Sequence, residues 1–322
     1  MIKTALIIGV TGQDGSLLAS LLLENNYKVI GTSRNELNLE NNLKLLEIEK
    51  KIIFKKINPI LYEDLFNLIS EFNPEEIYNL SGQTSVGKSF FEPYDTFKSI
   101  YIPTLNILEC IRNINKSIRF YNACSSECFG ECFDNPANES SIFKPVSPYA
   151  VAKVSSHNLV QSYRLNYNIF ASTGFLFNHE SPLRPNTFVI QKIINTAYNI
   201  SKGSEEKLLL GNLSVIRDWG WAPDFVKAIW KMLQINSPED FIISTGYTIS
   251  LEEFIKKIFL HLNLDYSKHI IISNNLIRTN ELQITRGNPN KAKNLLNWNA
   301  KTTVDEIIIK MLKFEEDGKF EL

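Results

Sequence analysis

The sequence has almost no excess charge of either sign: 34 Lys and Arg stand against 35 Asp and Glu, leaving −1 with the histidines neutral. That balance provides no basic footprint for nucleic acid, and no run of Lys or Arg suggests a membrane surface. No apolar segment reaches the roughly 18 residues that a bilayer span requires. Met1 to Thr4 lead straight into a strand-like run, without the apolar stretch and small-residue cleavage site of a secretory signal. A cytoplasmic location is expected on these grounds. Internal repeats, low-complexity tracts and long linkers are also missing. Cysteine is scarce, at Cys110, Cys124, Cys128 and Cys132. The last three are evenly spaced, but Cys124 ends an apolar run, no histidine lies nearby, and the spacing matches no common zinc pattern. They read as small buried or loop thiols, with no metal site and, in a reducing compartment, no disulfide.

What is present is ordinary soluble material, 44% hydrophobic and 21% charged over 322 residues. That is chain enough for one large domain or two of ordinary size, with a substantial core. Thr4 to Ile8 is a continuous apolar, β-branched run, the pattern of a strand buried on both faces. Gly9-Val10-Thr11-Gly12-Gln13-Asp14-Gly15 follows, and then an amphipathic segment from Ser16 to Glu24. Strand, glycine turn and helix together make a dinucleotide site credible, because the backbone can approach a pyrophosphate at a helix N-terminus. The spacing is Gly-x2-Gly-x2-Gly rather than Gly-x-Gly-x2-Gly. The next strand, Tyr27 to Gly31, leads into Thr32-Ser33-Arg34. A carboxylate there would suit the ribose hydroxyls of NAD. Arg34 instead suits the 2′-phosphate of NADP, with NAD left as the alternative.

The alternation continues with strands at Ile52–Phe54, Glu76–Leu80, Ser117–Ala123 and Ile169–Phe177. Between them lie helical stretches at Tyr62–Glu71, Tyr94–Asn113 and Pro148–Asn166, the second carrying Pro103, which is expected to cost a hydrogen bond and kink it. Repeated βα units predict an α/β fold, a doubly wound parallel sheet with helices on both faces. Ligands bind beyond the carboxyl ends of such strands, where Arg34, Gln83, Ser125 and Glu127 fall. Beyond Asn178 the rhythm breaks into a smaller, mostly helical substrate-binding domain. The helix at about Pro223–Leu233 and the strand at Asp240–Ser244 are read as returning to the main sheet. The expected division is 1–178 with 219–247 for the cofactor, and 179–218 with 248–322 for the substrate.

Tyr149 and Lys153 are four apart, so on a helix they share one face. A phenol ionises near pH 10, and a nearby ammonium favours the phenolate. With a hydroxyl donor opposite, such a pair can take a proton from an alcohol while a nicotinamide takes the hydride.

The residues resemble the extended short-chain dehydrogenase/reductases with a Rossmann sheet, and within them the GDP-mannose 4,6-dehydratase family, from Ala5 to about Trp298. The resemblance is carried by Gly9 to Gly15, Ile77 to Leu80, Ser125-Ser126-Glu127, Ser147 to Lys153, Leu176 to Pro182 and Gly211 to Trp219. It implies that Ser125, Glu127, Tyr149 and Lys153 are catalytic. Tyr149 would take the proton of the sugar 4-hydroxyl, Glu127 the C5 proton, and water would leave from C6. It implies that Gly9, Thr11, Gly12, Gln13, Asp14, Arg34, Leu80, Gln83, Tyr149 and Lys153 hold the cofactor. Ser126, Asn178, Lys192, Gly211, Arg217, Arg278 and Glu281 would line the GDP-sugar site. Departures from the family pattern are Asn58-Pro59 near the adenine, Ser85 for a common histidine and Val146 for a common arginine. The short loop after Arg34 lacks an arginine- and serine-rich segment and favours a homodimer over a tetramer. A GDP-heptose is therefore an alternative substrate. A nucleotide-sugar 4-reductase, epimerase or decarboxylase, and a non-catalytic NADP-binding regulator, are further alternatives.

Overall fold

In a computed structural model, which describes residues 2–36, 42–277 and 280–321, the strand pattern sorts apolar side chains to two faces of one sheet. In chain order the first elements are β1 (Thr4–Ile8), α1 (Gln13–Glu24), β2 (Lys28–Ser33), α2 (Asn42–Leu45), β3 (Ile53–Lys56), α3 (Tyr62–Phe72), β4 (Glu76–Asn79), α4 (Val86–Phe91), α5 (Pro93–Ile114), β5 (Arg119–Ser125), α6 (Pro148–Tyr167) and β6 (Ala171–Leu176). There follow β7 (Asn178–Glu180), α7 (Val189–Ser201), β8 (Leu208–Leu210), β9 (Ile216–Arg217), β10 (Trp219–Trp221), α8 (Ala222–Met232), β11 (Phe241–Ile243), β12 (Ile249–Ser250), α9 (Leu251–His261), β13 (Ile270–Ile272), α10 (Asn290–Leu296) and α11 (Val304–Asp317).

Seven strands form a parallel sheet in the order β11-β6-β5-β4-β1-β2-β3. Sequence order reverses between β1 and β4, the switch point where a doubly wound sheet opens a crevice. Side chains alternate along each strand. Ala5, Ile7, Tyr78, Tyr121 and Phe175 pack on one face with α1 and α8 through Leu18, Leu22, Phe225 and Ile229. Leu6, Ile8, Ile77 and Phe120 pack on the other with α3, α5 and α6 through Leu65, Ile107, Ile111 and Val160. As expected from the sequence, β11 returns to the sheet edge, pairing with β6. A separate core joins α7, α9 and α11 through Ile193, Ile194, Phe254, Ile258, Ile307 and Ile308.

Three local details bear on the sequence reading. Helix α1 starts at Gln13 rather than Ser16, with Gly12 as its N-cap, because the glycine turn itself feeds the first helical turn. Helix α5 runs from Pro93 to Ile114 with Pro103 buried inside it. Helix α4, unrecognised from sequence because it is so short, is capped by Ser85, whose hydroxyl accepts from the Lys88 amide. Among the described residues, no helix is long and apolar enough to cross a membrane.

Candidate active site

The glycine turn lies at the switch point. Gly9 has φ +94°, and a Cβ there would stand 2.8 Å from the Leu80 carbonyl oxygen, so β1 and β4 can approach only without a side chain. A Cβ on Gly12 would meet just the Gly9 oxygen, at 3.6 Å, within 4 Å. That open face at the start of α1 is a cradle that any larger residue would fill, and it fits a dinucleotide pyrophosphate. Gly15 does a different job. A Cβ on it would lie 2.2 Å from the Gly9 oxygen, so it seats the helix against the turn.

The side chains of Gln13 and Asp14 are engaged within the protein. The Gln13 amide donates to the His179 carbonyl at 3.3 Å and to Asp14, and its oxygen accepts from Ser181 at 2.9 Å. The Asp14 carboxylate meets His179 Nε2 at 2.9 and 3.0 Å. His179 Nδ1 lies 2.7 Å from the Phe177 carbonyl, and the ring stacks on Phe225. Both ring nitrogens face acceptors, which requires the doubly protonated imidazolium. Burial opposes the charge on each partner, yet mutual attraction wins: His179 is held above its usual value and Asp14 below its own. These contacts bind the glycine turn to the Asn178–Pro182 segment. His179 carries no sequence signal for this task, since Asp14 is 165 residues away.

Around the rest of the crevice, Leu80 follows β4, and its amide donates to Ile8 at 3.0 Å. The Gln83 side chain is engaged by the Ser85 backbone and Thr96, bracing α4 on α5. Thr11 accepts from Asn42 through its carbonyl. Arg34 is exposed, one residue past β2.

Ser125 ends β5, and its hydroxyl accepts from the Glu127 amide at 3.2 Å, which starts the short 3-10 turn carrying Ser126 and Glu127. Ser147 caps α6, accepting from the Ala150 amide at 3.1 Å, and Pro148 occupies the first turn. This start places Tyr149 on the buried face, hydrogen-bonded to Ser125. Lys153 lies one turn on, its Nζ 5.8 Å from the Tyr149 ring centroid and 2.8 Å from the Ala123 carbonyl. Cys124 and Cys128 underlie this segment with their sulfurs 3.3 Å apart; all four cysteines are free and buried.

The expected lowering of the phenol is not met. Burial raises Tyr149 above the usual phenol value, the Ser125 hydrogen bond works against it, and Cys124, Cys128 and Glu127 add to it. Burial also pushes the Lys153 amine down, against Cys124, Cys128 and Asp14. Desolvation is the largest effect on both groups, and the Lys153 ammonium donates to a backbone carbonyl.

Glu127 lines a small cavity with Val86, Val146, Ser147, Arg217, Asn280, Glu281 and Leu282. Arg217 is buried on β9 and donates to the carbonyls of Ile216, Gln283 and Leu282 at 2.9, 3.2 and 2.6 Å. Asn178 opens β7 beside Trp219. Lys192 donates to the Leu209 carbonyl at 2.7 Å, bracing β8 on α7 and standing outside the cavity lining. Gly211 follows β8, where a Cβ would come within 2.7 Å of the Leu276 carbonyl. Arg278 lies outside the described residues.

Comparison with known proteins adds an independent line. The family described as GDP-mannose 4,6 dehydratase matches residues 6–311. A Dictyostelium discoideum GDP-mannose 4,6 dehydratase is 37% identical, covering 96% of this chain and 95% of its own. A Caenorhabditis elegans GDP-mannose 4,6 dehydratase 2 is 37% identical over 96% of this chain and 88% of its own. In fold, the chain is similar to a Bacillus anthracis dTDP-glucose 4,6-dehydratase solved with NAD, at TM-score 0.85 and 21% identity, over 98% of this chain and 97% of that one.

Proposed function

The chain belongs to the GDP-mannose 4,6-dehydratase family, and from that membership we propose that it removes water from a GDP-hexose to form the GDP-4-keto-6-deoxy sugar. The observation that carries the reading is that Glu127, held on a turn started by Ser125, shares a cavity with Arg217, Glu281 and Ser147, the N-cap of the helix that carries Tyr149 and Lys153. Residues 1–178 with 219–247 hold NADP in this reading, and 179–218 with 248–322 hold the nucleotide sugar. Arg34 past β2 supports NADP over NAD.

The bound nicotinamide supplies a hydride acceptor and donor, oxidised and reduced once each per turnover. The rest falls to the protein. Tyr149 receives the proton of the sugar 4-hydroxyl, while Ser125 orients the same oxygen. Lys153, with the positive charge of the oxidised cofactor, offsets the burial that keeps the phenol neutral. Once C4 is a ketone, the C5 proton is acidic. Glu127 takes it and passes a proton to the departing 6-hydroxyl, so water leaves from C6. The proton taken by Tyr149 would then be given to C5 as hydride from a bound nicotinamide is restored at C6, leaving Tyr149 and Glu127 ready for the next turnover. Arg217 offers a guanidinium fork to the diphosphate, and Glu281 accepts from guanine N–H groups.

A GDP-heptose is the second reading. Val146 lines the cavity beside Glu127, leaving space at a position where an arginine would protrude. Incubation with NADP and either GDP-mannose or a GDP-manno-heptose in heavy water separates the two. The expected product carries a 4-keto group, a 6-deoxy carbon and deuterium at C5; unchanged substrate in both reactions overturns the dehydratase reading. We infer a cytoplasmic homodimer through α5 and α6, whose outer faces expose Tyr94, Phe97, Val151 and Leu165. Light scattering distinguishes it from a tetramer.

A further inference from the structure

Glu131 sits just past the catalytic 3-10 turn and takes no part in the chemistry above. Its two carboxylate oxygens accept from consecutive backbone amides, Gln283 at 2.6 Å and Ile284 at 3.0 Å. The contact is part of a longer seam. The Cys132 amide donates to the Ile284 carbonyl at 3.0 Å, Arg286 Nε to the Cys132 carbonyl at 2.9 Å, and the Ala137 amide to the Arg286 carbonyl at 2.9 Å. On its other edge the same strap pairs with β9: the Ile216 amide donates to Gln283 at 2.7 Å, and the Thr285 amide to Ile216 at 3.1 Å. The strap from Glu281 to Asn288 thus lies between the loop that follows Glu127 and the strand that carries Arg217.

Arg217 has no freedom to choose its own direction. It donates to two strap carbonyls, Leu282 and Gln283, and to Ile216, which the strap also pairs. The amide of Gln283 is held by Glu131 while its carbonyl faces Arg217. Charge-assisted bonds from a carboxylate to two successive amides are short and directional. We infer that Glu131 is a positioning residue for Arg217, acting as a clasp that sets the strap, and so the guanidinium, relative to Glu127. This rests on the reading of the Arg217 cavity as the nucleotide-diphosphate site.

The test is a double-mutant cycle on the full-length protein, with GDP and NADP binding measured by calorimetry. Glu131→Ala should weaken GDP about 10- to 100-fold, the weight of one or two hydrogen bonds to a charged group. NADP affinity should stay within about twofold, since the clasp is remote from the glycine turn. Because Glu131 acts through Arg217, the Glu131→Ala/Arg217→Ala pair should bind GDP no worse than Arg217→Ala alone. Glu131→Gln, keeping one acceptor, should fall between wild type and Glu131→Ala. Additive losses, or equal losses of GDP and NADP affinity, would overturn the inference. Hydrogen exchange provides the independent arm: Glu131→Ala should release the amides of 281–288 together with those of 212–217, leaving 4–33 protected. If wild type binds no GDP, the substrate reading fails, and the exchange pattern still decides the clasp.

Discussion

Replacing His179 with Gln removes one half of a buried ion pair while keeping a polar side chain of similar reach. The lost contacts are the bonds of Nε2 to both Asp14 oxygens at 2.9 and 3.0 Å, the bond of Nδ1 to Phe177, and the ring stacking on Phe225 at 4.7 Å. Asp14 would keep the Gln13 amide at 3.0 Å as its near partner. Stranding a buried charge in this way costs about 3–5 kcal/mol. For 322 residues, an unfolding entropy of about 2.1 cal/mol/K per residue gives roughly 0.7 kcal/mol/K, and hence a fall in Tm of about 4–7 °C. The pH dependence has a definite sign. His179 is raised from 6.5, so its contribution is complete below that value and is lost as pH climbs through the higher folded value. Asp14 is lowered from 3.8, so its contribution is complete above 3.8 and is lost as pH falls through the lower folded value. The deficit of His179→Gln should therefore be greatest between those two ordinary values and narrow in alkali. Scanning calorimetry of both proteins across that range measures it. Equal Tm values near pH 6, or a deficit that widens in alkali, would refute the charged pair.

Other perturbations address the chemistry and the cradle. Glu127→Gln should lower product formation by about 10²–10⁴-fold while the absorbance of reduced cofactor still appears on mixing. Since the Glu127 carboxylate raises the phenol, the same variant should move the rising limb of that oxidation's pH profile to lower pH; a shift upward would contradict it. Gly15→Ala puts a methyl 2.2 Å from the Gly9 oxygen and should weaken cofactor binding by at least about tenfold, so titration showing wild-type affinity would remove the cradle. Arg34→Asp should reverse the preference for NADP over NAD in paired turnover assays, and an unchanged ratio would assign the 2′-phosphate elsewhere.

The parts legible in the sequence are those whose signals are local. An apolar run followed by three glycines implies the strand, turn and helix at the switch point, and Ser147-Pro148 marks the start of α6, placing Tyr149 and Lys153 one turn apart. The order of the βα units carries the sheet. What stayed hidden depends on distant partners. Asp14 lies within a local motif, but its pairing with His179 is visible only in the folded chain. The phenol of Tyr149 reads as lowered by Lys153 because spacing shows proximity but not burial, and burial reverses the sign. Glu131 carries no motif at all, since its amide partners lie 152 and 153 residues away.

The most direct test of internal hydride transfer follows a label. GDP-mannose deuterated at C4 is incubated in ordinary water with the protein and a catalytic amount of NADP, and the product is read by NMR and mass spectrometry. A sugar that passes its hydride to the cofactor and recovers it will carry the deuterium at C6, with no reduced cofactor accumulating. Loss of the label to added cofactor, with stoichiometric reduction of NADP and C6 left hydroxylated, would contradict the mechanism built on Tyr149 and Glu127.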